Sequence, residues 1–222
     1  MIPMFRFLLI MITLAGCSKE INHNQKSFLA LGDSYTIGES VDEESRWPNQ
    51  LASQIKTSNI NVQIVATTGW TTNELAEGIA QANITETFDL VSLLIGVNNQ
   101  YRGLSIQDFE IELRELCIAA IDFSKNGSSN VIILSIPDWS AFPFAEGRDI
   151  NKISKEIDAF NKVVKKMANE FNLKFFDITD ISRQASSNKS LIAEDFLHPS
   201  KEMYKLWVDK ILASKEFQKI DL

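Results

Sequence analysis

Short apolar runs, each stopped by turn-forming residues, alternate along this sequence with stretches whose apolar residues recur at helical spacing. The clearest run is Asp89-Leu90-Val91-Ser92-Leu93-Leu94-Ile95-Gly96. It is almost continuously apolar, as a central parallel strand covered on both faces must be. Phe28-Leu29-Ala30-Leu31, Asn61 to Ala66, Asn130 to Ile136 and Leu173 to Ile178 read as four further strands. Between them, Trp47, Leu51 and Ile55 predict a helix over 43–57, and Thr71 or Thr72 caps a helix running through Leu75 and Ile79. Phe109, Leu113, Leu116, Ala120 and Ile121 line one face of a helix over 106–124. Ile150 to Phe171 carries the same periodicity, and a last helix runs from Ser200 through Trp207 and Ile211. Strands alternating with helices call for a parallel sheet covered on both faces. The expected fold class is therefore α/β, a three-layer αβα sandwich whose five-stranded parallel sheet has the flavodoxin-like order 2-1-3-4-5. In 222 residues there is no internal repeat and no linker that would divide the fold.

The amino terminus reads differently. Phe7 to Leu14 is an apolar stretch after Arg6, too short to span a bilayer comfortably. It ends in Leu14-Ala15-Gly16-Cys17, which resembles the lipobox of bacterial lipoprotein signals. That resemblance implies a cleaved signal peptide over 1–16 and a lipidated Cys17. It also implies export and anchoring to a membrane of the cell envelope. Ser18 in place of an aspartate would favour the outer membrane in a Gram-negative cell. A plain secretory signal with a coincidental cysteine is the alternative. The expected organisation is signal 1–16, lipidated cysteine and tether 17–26, and one domain 27–222. The formal net charge of -7 argues against a nucleic-acid partner, which needs a basic face. Cys117, the second of two cysteines, falls within the apolar pattern of the 106–124 helix and reads as a small buried hydrophobe.

Parallel strands bring their carboxyl ends to one edge of the sheet, where open α/β folds bind ligands. Ser34 follows the first strand, Gly69 the second and Asn98 the third, while Asp195-x-x-His198 follows the fifth at a distance. Gly32 ends the first strand as a residue free to take angles that others resist. A serine nucleophile needs a base. His198 is the only histidine of the folded body, since His23 falls in the tether. Asp195, three residues earlier, is placed to orient its ring. An oxyanion needs fixed donors, which the Gly69 backbone and the Asn98 amide offer. Each residue also has a plain structural role open to it: Gly-Asp-Ser as a turn, Gly69 as a turn glycine, Asn98 as a loop residue bonding its own backbone, His198 as a surface histidine.

Gly32-Asp33-Ser34-Tyr35, Gly69, Gly96-Val97-Asn98-Asn99 and Asp195-x-x-His198 together resemble the blocks of the GDSL or SGNH hydrolases, in that order. The resemblance implies a serine hydrolase of ester bonds, with Ser34 as nucleophile, His198 as general base and Asp195 as orienting acid. It implies an oxyanion hole made of the Ser34 and Gly69 N–H groups and the Asn98 side chain, and no metal or organic cofactor. Tyr35 stands where a leucine is usual, and Asn99 where an aspartate is frequent, which puts the support of Asn98 in question. The implied function is a cell-envelope esterase working through an acyl-enzyme on Ser34. Lysophospholipids, acyl thioesters, simple acyl esters and acetylated glycans are all open as substrates. A non-catalytic ligand-binding lipoprotein and an acyltransferase are the other readings. Trp139, Phe142 and Phe144 either line an acyl pocket, form a lid, or pack their own loop.

Overall fold

The computed structural model describes residues 25–56 and 59–222. Cys17, the signal 1–16 and all but the last residues of the tether 17–26 lie outside the described residues. Five strands form one sheet: β1 (Gln25–Gly32), β2 (Asn59–Ala66), β3 (Leu90–Leu94), β4 (Val131–Leu134) and β5 (Lys174–Phe176). Their order is β2-β1-β3-β4-β5, and every pairing is parallel. The expected order 2-1-3-4-5 is the one the chain adopts. Every residue of β3 and β4 is buried, which explains why only Ser92 interrupts their apolar runs.

The helices are α1 (Ser34–Ile37), α2 (Trp47–Gln54), α3 (Thr72–Ala82), α4 (Val97–Tyr101), α5 (Ile106–Asp122), α6 (Ile150–Glu170), α7 (Thr179–Arg183) and α8 (Lys201–Ala213). Right-handed crossovers decide their faces. The chain steps one way from β1 to β2 and the other way ever after, so α2 is on one face and α3, α5 and α6 are on the other. Contacts agree: α3 packs on α5 and α5 on α6, while α8 returns to α2. Phe109 of α5 and Phe160 of α6 meet with ring centroids 4.7 Å apart. Cys117 is fully buried in α5; burial pushes its thiol up to about 12, against the pull of Arg114. Among the described residues no helix is long and apolar enough to cross a membrane.

Three details differ from expectation. The helix predicted over 43–57 breaks at Arg46 into a 3-10 turn, Glu43–Ser45, and α2. Pro48 is tolerated only in a first turn, so α2 has to begin beside it. β1 takes in Gln25 and Lys26, and β2 begins two residues early at Asn59; Gln25 pairs with Asn59 and Lys26 with Ile60. Polar residues are held in strand there by Asp89, which accepts Ser27 N–H at 2.9 Å and pairs with Lys26 Nζ at 3.3 Å and Lys125 Nζ at 2.7 Å. Gly32 is required by space rather than by backbone angle. It is still part of β1, and a Cβ there would stand 2.2 Å from Thr36 Oγ1 and 2.5 Å from the Leu94 carbonyl oxygen.

Candidate active site

The turns after β1, β2 and β3 converge at the carboxyl edge of the sheet. Ser34 is the first residue of α1. Asp33 caps that helix, its Oδ1 accepting Tyr35 N–H at 3.0 Å. Ser34 N–H donates to no backbone carbonyl among the described residues, as befits the first turn of a helix. Gly69 N–H is likewise unengaged by backbone. Gly69 has φ +87°, and a Cβ on it would meet nothing nearer than Arg102 Nη2 at 3.8 Å, so angle and not space requires glycine here. Its carbonyl accepts a bond from Arg102 Nη2 at 2.5 Å. Asn98, in α4, donates through Nδ2 to the Trp70 carbonyl at 3.0 Å and reaches Asp33 Oδ2 at 3.4 Å.

His198 comes from the segment between α7 and α8. Its Nδ1 lies 2.5 Å from Asp195 Oδ2, so the proton on Nδ1 points at the carboxylate and Nε2 is left as the acceptor. The loop is closed by the Ala193 N–H bond to the His198 carbonyl at 2.8 Å. Tyr35 packs on the imidazole, with ring centroids 5.3 Å apart. Burial pushes the Asp195 carboxyl up, but bonds from the His198 backbone and ring, from Ser40 and from Leu197 N–H prevail and hold it at about 2. Asp33 goes the other way: burial raises its carboxyl to about 7 in spite of the bonds from Tyr35, its own N–H and Asn98.

Ser34, Gly69, Asn98 and His198 line one pocket of about 140 Å³, walled by the apolar Val97, Tyr101, Trp139, Phe144 and Leu197. Asp195 stands behind His198, away from the pocket. Ser34 Oγ forms no hydrogen bond with any described residue; bonds between catalytic groups commonly tighten only with substrate in place. Among the described residues no group of three or more His, Cys, Asp or Glu could hold a metal ion. The loop of Trp139 is firmly packed. Trp139 and Phe142 are buried; Trp139 Nε1 donates to Gln100 Oε1 at 2.7 Å. Asp138 accepts from Ser154 at 2.7 Å and from Arg183 Nε at 2.9 Å. Trp139 and Phe144 form pocket wall, whereas Phe142 does not reach the pocket.

Three supports escaped the sequence reading. Asn99, in the position that raised doubt, is a firm brace: its Oδ1 accepts Thr72 N–H at 3.1 Å and its Nδ2 donates to Thr72 Oγ1 at 2.7 Å. Thr72 Oγ1 in turn donates to Glu112. An aspartate at 99 would compete with Glu112 for that hydroxyl, whereas asparagine supplies the missing donor. Arg102 ties the Gly69 turn to Glu74, at 3.1 Å. Ser40 bonds Asp195 Oδ2 at 2.7 Å from the far side of the sequence. Nothing in local spacing announces these long-range partners.

The comparisons agree with this geometry. Residues 30–206 match the model of the GDSL-like lipase/acylhydrolase family. A lipolytic protein of the G-D-S-L family from Veillonella parvula superposes with TM-score 0.67 at 19% identity, covering 85% of this chain and 97% of that one. The psychrotrophic esterase EstA from Pseudoalteromonas sp. gives TM-score 0.64 at 18% identity, with 85% and 96% covered. An acetylxylan esterase from Geobacillus stearothermophilus gives 0.66 at 20%, with 89% and 94% covered. At such identities the likeness speaks for the fold alone. No curated protein matches the chain in sequence. The family match spans most of the chain, and on it the chain belongs to the GDSL-like lipase/acylhydrolase family and is an ester-hydrolysing serine hydrolase.

Proposed function

We propose that the protein hydrolyses short acyl esters through an acyl-enzyme on Ser34, from an anchored position in the cell envelope. The observation that carries this is the meeting of Ser34, Gly69, Asn98 and an Asp195-bonded His198 at one small apolar-walled pocket. Ser34 Oγ attacks the ester carbonyl carbon while His198 Nε2 takes its proton. The imidazolium is stabilised by Asp195, which stays ionised. The carbonyl oxygen, now an oxyanion, is received by the Ser34 and Gly69 N–H groups and Asn98 Nδ2. The carbon–oxygen bond to the alcohol breaks, and His198 returns the proton to the leaving oxygen. Water repeats the sequence on the acyl-serine, releasing the acid and restoring Ser34.

Pocket size supports a short acyl group. A cavity of about 150 Å³ accommodates a benzene molecule, so 140 Å³ suits an acyl portion of a few carbons. That favours simple acyl esters and acetylated glycans over long-chain lysophospholipids. The place where the chain enters the fold supports an aqueous substrate too. β1 runs from Gln25 to Gly32 toward the site, a rise of about 23 Å at the usual strand spacing. A lipid on Cys17 would hold the molecule by the end opposite the pocket. Seven residues between Cys17 and Gln25 reach little further than the strand itself, about 28 Å when fully extended.

Steady-state kinetics on p-nitrophenyl esters of rising chain length tests the reading. Acetate to butyrate should exceed decanoate in kcat/KM by about tenfold or more. Ser34→Ala and His198→Ala should each lose about 10³-fold or more in kcat. Parent-like turnover in either variant would refute the mechanism, and a preference for long chains would refute the substrate class.

A further inference from the structure

The Asp195 carboxylate accepts four hydrogen bonds, and three come from its own loop. Oδ1 takes the N–H groups of Leu197 at 3.0 Å and His198 at 2.9 Å, and Oδ2 takes His198 Nδ1 at 2.5 Å. These three travel with the loop, and none fixes it against the rest of the site. The fourth comes from Ser40, 155 residues away in sequence, whose Oγ donates to Oδ2 at 2.7 Å. Ser40 lies just past α1, where Gly38 N–H and Glu39 N–H both bond the Ser34 carbonyl at 3.0 Å. Among the described residues this is the one hydrogen bond joining the carboxylate to the segment that bears Ser34.

The backbone of Ser40 points the same way. Its φ is +64°, the left-handed region where glycine and asparagine are at ease and serine is not. A residue held against its own preference with its hydroxyl on a site carboxylate is one whose side chain is wanted there. Glycine would suit the backbone and lack the donor.

We propose that Ser40 is a positioning residue of this active site. Its hydroxyl fixes Asp195, and through it the His198 ring, relative to the nucleophile segment, and it takes up part of the charge on Oδ2. The proposal rests on the serine-hydrolase reading given above. Removing the donor leaves more negative charge facing the imidazolium, so the base holds its proton to higher pH. The buried phenols of Tyr35 and Tyr204 share the field of Asp195 with Asp33, while Glu39 and Glu194 adjoin Ser40 and Asp195 along the chain. All of them are still present when Ser40 is replaced.

The test compares Ser40→Gly, Ser40→Asn and Ser34→Ala with the parent in the full chain, on short acyl esters over a pH range. Ser40→Gly should melt no lower than the parent, because glycine relieves the backbone. Its kcat should nevertheless fall about tenfold, equivalent to about 1.4 kcal/mol, with KM nearly unchanged. The acid limb of its kcat/KM profile should move to higher pH. Ser40→Asn, which keeps both the backbone preference and an N–H donor, should recover part of the loss. If Ser40→Gly matches the parent in kcat and acid limb while Ser34→Ala is inactive, Ser40 does not position the site. A loss of activity in Ser40→Gly that tracks a lowered melting temperature overturns the proposal equally. Parent-like activity in Ser34→Ala would overturn the underlying serine mechanism instead.

Discussion

Two aspartates flank the site, and their surroundings drive them apart. Four donors hold Asp195 at about 2, whereas burial lifts Asp33 to about 7. The consequence for stability can be signed. The unfolded chain releases the Asp33 proton near 3.8 and the native chain near 7. Between these pH values the native state binds more protons, so stability falls as pH rises through the window. Asp33→Asn keeps the cap on α1, since an asparagine oxygen also accepts from Tyr35 N–H. Thermal melts of Asp33→Asn should accordingly decline less between pH 4 and pH 7 than those of the parent; parallel curves would mean that Asp33 is not the group responsible. Ser34, Gly69, Asn98, Asp195 and His198 were legible in sequence as a set. Each alone reads equally well as a turn or loop residue, and it is their joint resemblance to the blocks of one family, in order along the chain, that singled them out. Ser40 and Asn99 were not, because their roles lie in contacts across 155 and 27 residues that leave no local pattern.

At the scale of elements, the short helix α4 organises the site. Asn98 meets Trp70 and Asp33, Asn99 braces Thr72, Gln100 bonds Trp139 and Glu156, and Arg102 just beyond it fixes Gly69. Sequence periodicity cannot detect α1 or α4, since four or five residues complete barely one turn. The strands and the long helices were legible because their buried faces repeat often enough to register. The polar strand start was not, since Asp89 holds Lys26 and Ser27 there rather than an apolar face. The wedge where β1, β3 and α1 meet is a tight joint. A methyl at Gly32 would press on Thr36 and the Leu94 carbonyl. Urea unfolding of Gly32→Ala should show a loss of about 1–3 kcal/mol, the range for overpacking, together with weakened esterase activity as α1 shifts. An unchanged midpoint would show that the joint gives way freely.

For the whole molecule, the sheet polarity sets where things happen. All five strands point the same way, so the pocket occupies one end and the chain enters β1 at the other. If Cys17 carries the anchor, Cys17→Ala should shift the protein from the membrane to the soluble fraction on centrifugation while its turnover of soluble esters stays at the parent level. Continued sedimentation with the membrane would contradict the lipid anchor. Oligomeric state has no signature in the sequence pattern, and the division of the 138–147 loop into pocket wall (Trp139, Phe144) and packed interior (Phe142) appears only in the fold. The central claim, that Ser34 takes the acyl group, is tested most directly by reacting the protein with a fluorophosphonate and mapping the adduct by peptide mass spectrometry. A single adduct on Ser34, absent from Ser34→Ala, is the expected result; no adduct, or one on a different residue, would contradict it.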